Sequence, residues 1–110
     1  MAFDEGLAQR IREALAVASD VVEKRMFGGL AFLIHGHMFC GIVGTELMLR
    51  VGPKQYDNIL SMPYVRQMDF TGRPMKGFVF ISEKGFEEDG QLHEWIALGL
   101  KFVQGLPEKA

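Results

Sequence analysis

LAFLIHGHMFCGIVGTELMLRV, residues 30–51, is the stretch that decides the fold. It is strongly apolar and β-prone, and it is interrupted twice, at His35-Gly36 and at Gly44-Thr45. Each interruption is two residues long and contains a glycine, which accepts the positive φ of a tight hairpin turn. The stretch therefore predicts three short antiparallel strands. With both turns two residues long, Leu33 faces Met38, Ala31 faces Cys40, Ile42 faces Leu47, Cys40 faces Leu49 and Met38 faces Val51. These residues share one wholly apolar face, which should lie under helices. The other face then carries Leu30, Phe32, Ile34, His37, Phe39, Val43, Glu46, Met48 and Arg50, a mixture of aromatic, aliphatic and charged side chains.

Upstream, Phe3, Leu7, Ile11, Leu15, Ala18 and Val22 recur every three or four positions, which predicts an amphipathic helix over residues 3–22. Gly28 and Gly29 end that pattern. Downstream, Gly52-Pro53 opens a short helix whose buried side is Tyr56, Ile59 and Leu60, and Pro63 lies beyond its end. Residues 65–70 and 76–81 read as two more strands joined by the turn Thr71-Gly72-Arg73-Pro74. Asp89-Gly90 precedes a last helix in which Leu92, Trp95, Ile96, Gly99, Phe102, Val103 and Leu106 keep helical spacing. The expected fold is α+β and two-layered. A five-stranded antiparallel sheet carries helices on one face, in the order α-β-β-β-α-β-β-α.

The 110 residues suffice for a single domain, residues 1–110, with a real core. The net charge of -2 excludes a wholly basic nucleic-acid protein. The charge is nonetheless uneven. Lys24, Arg25, Arg50, Lys54, Arg66, Arg73 and Lys76 outnumber Glu46, Asp57 and Asp69 in the middle of the chain, whereas both flanks are acidic. Cys40 is the single cysteine, so an internal disulfide and a multi-cysteine zinc site are excluded. That usage, an N-terminus without signal-peptide character and the lack of any apolar stretch of about 20 residues lead to the expectation of a soluble, cytoplasmic domain.

Arg25-Met26-Phe27-Gly28-Gly29, followed by Phe32, the hairpin glycine Gly36, Met38-Phe39 and Leu47-Met48-Leu49-Arg50-Val51, resembles the TfoX N-terminal domain family. This family is related to the TfoX/Sxy regulators of natural competence. The likeness runs over residues 23–100 and takes in the turn at Gly72-Arg73-Pro74-Met75 and the helix bearing Trp95. It implies the same α+β order with a five-stranded sheet, and it supplies no catalytic residue to carry over. Full-length competence regulators of this kind have a second, helical C-terminal domain for which 110 residues leave no room. The resemblance is thus to a stand-alone N-terminal domain.

The chemistry-bearing residues do not assemble a catalytic pattern. Ser19, Ser61 and Ser82 lack a nucleophile motif, and His93-Glu94 reads as helix surface. Glu87-Glu88-Asp89 reads as favourable negative charge before a helix N-terminus. His35, His37 and Cys40 could suggest a metal, but the inferred register turns them in different directions, so no metal site is expected. No cofactor is implied. The glycines of Arg25-Met26-Phe27-Gly28-Gly29 are expected to turn the chain from helix to sheet while Met26 and Phe27 plug the core, leaving Arg25 as a candidate anion contact.

The sheet face bearing Phe32, Ile34, His37, Phe39, Met48 and Arg50 is the expected binding surface, because an apolar patch of that kind marks an interaction site. A non-enzymatic regulatory or protein-interaction domain follows, with a second copy of the chain or another protein as partner. The second reading is a small-molecule-binding module in which Arg25, His37 or Arg50 holds an acidic group. The third is nucleic-acid binding, with Arg50, Arg66, Arg73 and Lys76 on phosphates and Phe32 or Phe39 stacked on bases. No membrane partner is expected.

Overall fold

A computed structural model describes residues 3–16, 20–26, 28–69 and 74–106. The elements are α1 (Glu5–Ala14), β1 (Val21–Met26), β2 (Gly29–Ile34), β3 (His37–Val43), β4 (Glu46–Arg50), α2 (Tyr56–Leu60), β5 (Val65–Asp69), β6 (Pro74–Ile81) and α3 (Asp89–Gln104). A single 3-10 turn, Glu83–Gly85, precedes α3. The strands form one sheet in the order β1-β2-β3-β4-β6-β5, with every neighbouring pair antiparallel. The fold is α+β as expected, but the sheet has six strands rather than five. Among the described residues no helix is long and apolar enough to cross a membrane.

The additional strand comes out of the sequence expected to finish the first helix. Asp4 caps α1, its carboxylate accepting from the amides of Gly6 at 2.9 Å and Leu7 at 3.3 Å, which satisfies two of the donors a helix start leaves unpaired. Leu7, Ala8 and Ile11 are buried, and the helix stops at Ala14. Phe3 lies before the helix and bridges to Gly44, whose carbonyl accepts from the Asp4 amide at 2.8 Å. Val21-Val22-Glu23-Lys24-Arg25-Met26 then runs along β2 as an edge strand. Val22 fell on the helical stripe by coincidence of spacing. The adjacent charges, which read equally well as helix surface, are those that guard a sheet edge against pairing with other chains.

Arg12 on α1 fastens this edge. Its guanidinium donates to both carboxylate oxygens of Glu23 at 2.8 Å, and that hydrogen bond holds the Glu23 carboxyl below its usual range. A carboxylate depressed in the folded state stabilises the fold above its unfolded pKa of about 4.3. The contribution is lost as the pH falls through the lower folded value. Both partners are more than a third exposed, so screening limits the effect to well under about 1 kcal/mol. Urea titrations of wild type and Glu23→Gln should differ by this small amount at pH 7 and converge as the pH falls through the lowered folded pKa of Glu23. A gap that widens on acidification would mean that the pair has been assigned the wrong sign.

The other expectations are met with adjusted boundaries. Both hairpin turns fall where expected, at His35-Gly36 and Gly44-Thr45. Pro53 lies in a turn before α2 rather than inside it; Tyr56 and Ile59 are buried and Leu60 is partly so. β6 begins at Pro74, earlier than expected. Residues 71–73 of the anticipated turn lie outside the described residues.

The register between β2 and β3 is the important correction. Ile34 pairs with His37 and Leu33 with Met38, as two-residue turn geometry demands, but the next pair is Phe32 with Cys40. Phe39 is the extra residue of a β-bulge. Beyond it, Ala31 pairs with Gly41 and Leu30 with Ile42. The bulge restores side-chain parity differently on its two sides, so Phe39 and Cys40 both join the core under the helices. That core also holds Leu30, Phe32, Ile34, Ile42, Leu47, Leu49, Val51, Val79 and Ile81, packed against Leu7 and Ile11 of α1, Tyr56 and Ile59 of α2, and Leu92, Ile96 and Val103 of α3. Ala31, Leu33 and Met38, expected on that face, belong to the opposite one, and Leu30, expected on the open face, is in the helix-covered core.

Close approach of α3 to the sheet depends on Gly99. A Cβ there would stand 2.7 Å from the Phe39 carbonyl oxygen and 2.8 Å from Leu49 Cδ1. The bulged residue and the helix glycine are thus in direct apposition.

Candidate interaction surface

On the sheet face away from the helices, Ala31, Met48, Met68 and Phe80 form a second apolar cluster, with Leu33, Met38, Val43 and Phe78 packed against it. None of these residues comes from a helix. Alternation along each strand explains the membership. Leu33 of β2 pairs with Met38 of β3, Val43 pairs with Glu46 of β4, Met48 pairs with Phe80 of β6, and Arg50 pairs with Phe78. The four inner members are buried by their own neighbours. Gly41 leaves room for Met48, whose Cε would lie 2.6 Å from a Cβ at that position. The Arg66 guanidinium covers Phe80, 4.6 Å from the ring centroid, and is held there by Glu46, one of whose oxygens accepts from Nε at 3.0 Å. The outer members, Leu33, Met38, Val43 and Phe78, stay half-buried, and Val22 on the adjoining edge strand is 59% exposed.

The expected surface is therefore on the expected side of the sheet only in part. Met48 faces it, and Arg50 sits at its border. Phe32, Ile34 and Phe39 do not; all three are buried in the helix-covered core, Phe39 completely. His37 is the cross-strand partner of Ile34 and is half-buried. The single-residue bulge is the physical cause, since a shift of one residue exchanges the two faces of a strand. Phe32 and Phe39 are consequently unavailable to stack on bases, and Arg66 is engaged by Glu46.

Arg25 lies over the ring of Phe3, 5.8 Å from its centroid, on the outermost strand. Arg50 lies on β4, between the rings of Phe78 at 5.5 Å and Phe102 at 5.4 Å. Burial lowers its pKa, though an arginine remains charged at any ordinary pH. Two strands separate β1 from β4, so Arg25 and Arg50 serve different places. The motif Arg25-Met26-Phe27-Gly28-Gly29 joins strand to strand, not helix to sheet. Met26 pairs with Gly29, and Gly28 takes a φ of 73° in the turn. Phe27 lies outside the described residues, and with it the expected plugging role of Met26 and Phe27.

His35 is exposed in its turn with a φ of 52°, His37 starts β3, and Cys40 is buried, its thiol pKa pushed up by desolvation. These three do not converge, and among the described residues no group of three or more His, Cys, Asp or Glu side chains gathers as a metal site. Ser61 Oγ donates to the Asn58 carbonyl at 2.6 Å, closing the end of α2, and His93 and Glu94 are exposed on α3. Ser19 lies outside the described residues. The acidic run has a structural use: Asp89 pairs with Arg10 of α1 at 3.2 Å, and Arg10 also donates to the carbonyls of Phe86 and Glu87.

Sequence reasoning missed Ala31, Leu33, Met38, Phe78, Phe80 and Met68 as members of the second face. The alternation Phe78-Val79-Phe80-Ile81 against Arg66-Gln67-Met68 carried a signal for the last three, but not which parity faces the helices. Comparison with known proteins places the sequence: the family model for the TfoX N-terminal domain matches residues 13–103. No curated protein matches the chain.

Proposed function

We propose that this chain, which belongs to the TfoX N-terminal domain family, is a non-enzymatic interaction domain that pairs with a second copy of itself through the helix-free face of its sheet. The observation that carries this reading is the second apolar cluster. A sheet needs only one apolar face to fold under helices, yet here the opposite face is also apolar, with Leu33, Met38, Val43 and Phe78 left half-buried. A regulatory setting fits the family, with the domain contributing assembly rather than chemistry.

Leu33→Glu is the test, because Leu33 is half-buried on this face and its backbone pairs with both β1 and β3, beside exposed Val22 and half-buried Met38. An unpaired carboxylate trapped in an apolar interface costs several kcal/mol, on the order of the cost of a lost hot-spot residue, but is tolerated in a monomer, where it reaches water. The variant should keep the wild-type circular dichroism spectrum and sediment as a monomer at concentrations where wild type sediments as a dimer. A wild type that remains monomeric at high micromolar concentration would overturn the self-pairing reading.

A further inference from the structure

We propose that the groove between the C-terminal half of α3 and the β4–α2 connection binds an amphiphilic carboxylate, a medium-chain fatty carboxylate being the simplest ligand of that class. The groove encloses about 480 Å³, within the range of small-ligand sites. Val51, Leu98, Phe102 and Leu106 give it an apolar wall, while Lys54 and Lys101 stand at its sides, and no acidic side chain lines it among the described residues.

Three further facts point to an anion. Phe102, which lines the groove, is also one of the two rings that sandwich Arg50. Among the described residues, Arg50, Lys54 and Lys101 take part in no ion pair. Arg10, Arg12 and Arg66 each hold a carboxylate, whereas these three cations, like Lys24, Arg25, Lys76 and Lys84 elsewhere on the surface, hold none among the described residues. Lys54 and Lys101 are two like charges lining one apolar cavity, and both attract an anion that enters it. A carboxylate would take charge-assisted hydrogen bonds from the lysines, while an alkyl tail displaces water from Val51, Leu98 and Leu106.

The backbone is shaped to seat Phe102, one wall of the groove. Gly52 has a φ of 84°, and a Cβ on it would stand 2.3 Å from the Phe102 ring. The amides of Val51 and Gly52 both donate to the Gly77 carbonyl, at 2.8 and 3.1 Å. Phe102 is therefore seated against main chain that is itself tied to β6. The inference is independent of self-pairing, since no residue that lines the groove belongs to the apolar cluster on the sheet face.

The probes are decanoate, its uncharged analogue decanol, and acetate, which has the charge without the tail. Titrated into the wild-type protein and followed by amide and methyl chemical shifts, decanoate should saturate with its largest shifts at Val51, Leu98, Phe102 and Leu106. Decanol should bind about tenfold more weakly, the loss of one charge-assisted hydrogen bond, and acetate should produce no saturable shift. In the Lys54→Gln/Lys101→Gln double variant, both substitutions being on exposed side chains, the affinity for decanoate should fall about tenfold while that for decanol stays unchanged. Equal binding of decanoate and decanol, an unchanged decanoate affinity in the double variant, shifts centred elsewhere, or no saturation with decanoate would each overturn the proposal.

Discussion

Gly29→Ala should destabilise the domain by about 3 kcal/mol or more, at the upper end of what overpacking costs. A Cβ at this position would lie 1.9 Å from the Ile42 carbonyl oxygen and 3.0 Å from its carbon. Those atoms are main chain within β3, which is paired on both sides, so the clash cannot be relieved by rotating a side chain. Relief would require β2 and β3 to separate at their end. Gly90→Ala is the control: a Cβ there meets nothing within 4 Å, and the residue is in the first turn of α3. That substitution should be neutral or stabilise by up to about 1 kcal/mol through the unfolded chain. Urea midpoints of the two variants would measure the contrast, and a Gly29→Ala protein as stable as wild type would refute the close approach of the two strands.

Leu49→Ala should cost about 2 to 5 kcal/mol, the usual range for a buried leucine cut back to alanine. Leu49 is fully buried. It pairs with Cys40 on one side and Val79 on the other, both in the same core. Its Cδ1 also fills the space in front of Gly99, so the truncation would open a cavity where α3 meets the sheet, a place with little freedom to collapse. Arg50→Ala, one residue along on the opposite parity, removes contact with two rings but no buried leucine, and should cost about 1 kcal/mol. Equal losses for the two variants in urea titrations would contradict the alternation of β4.

The contrast between these two positions shows how far the sequence could be read. β4 is regular, so parity alone put Leu47, Leu49 and Val51 under the helices, and the structure agrees. The two glycine turns set the hairpin ends correctly because positive φ is a local property: Gly36 and Gly44 have φ of 84° and 61°. The α1 stripe was legible up to Ile11 and Leu15 for the same local reason.

Two features were not local. Whether Glu23-Lys24-Arg25 lies on a helix surface or on a sheet edge depends on whether β2 has a free edge to offer, which no spacing within the segment reveals. The bulge at Phe39 depends on which of two apolar registers packs better against α3. Phe39, Cys40, Phe32 and Ala31 are all apolar, so hydrophobic pattern gives no penalty for either choice; in the observed register the Phe39 carbonyl lies against Gly99 of α3, a contact that no local spacing reveals. The candidate surface inherited that ambiguity. Its side of the sheet was foreseen, Met48 and Arg50 were placed on it, and Phe32, Ile34 and Phe39 were exchanged for Leu33, Met38 and Phe78.

Self-pairing through the helix-free face is tested most directly by isotope-filtered NMR on an equal mixture of methyl-labelled and unlabelled protein. Signals then arise only between methyl groups of one copy and protons of the other. The account predicts intermolecular contacts from the methyls of Leu33, Met38 and Val43 to Phe78 and Val22 protons across the interface. Intermolecular contacts confined to α1 or α3, or none at concentrations where the protein sediments as a dimer, would contradict it.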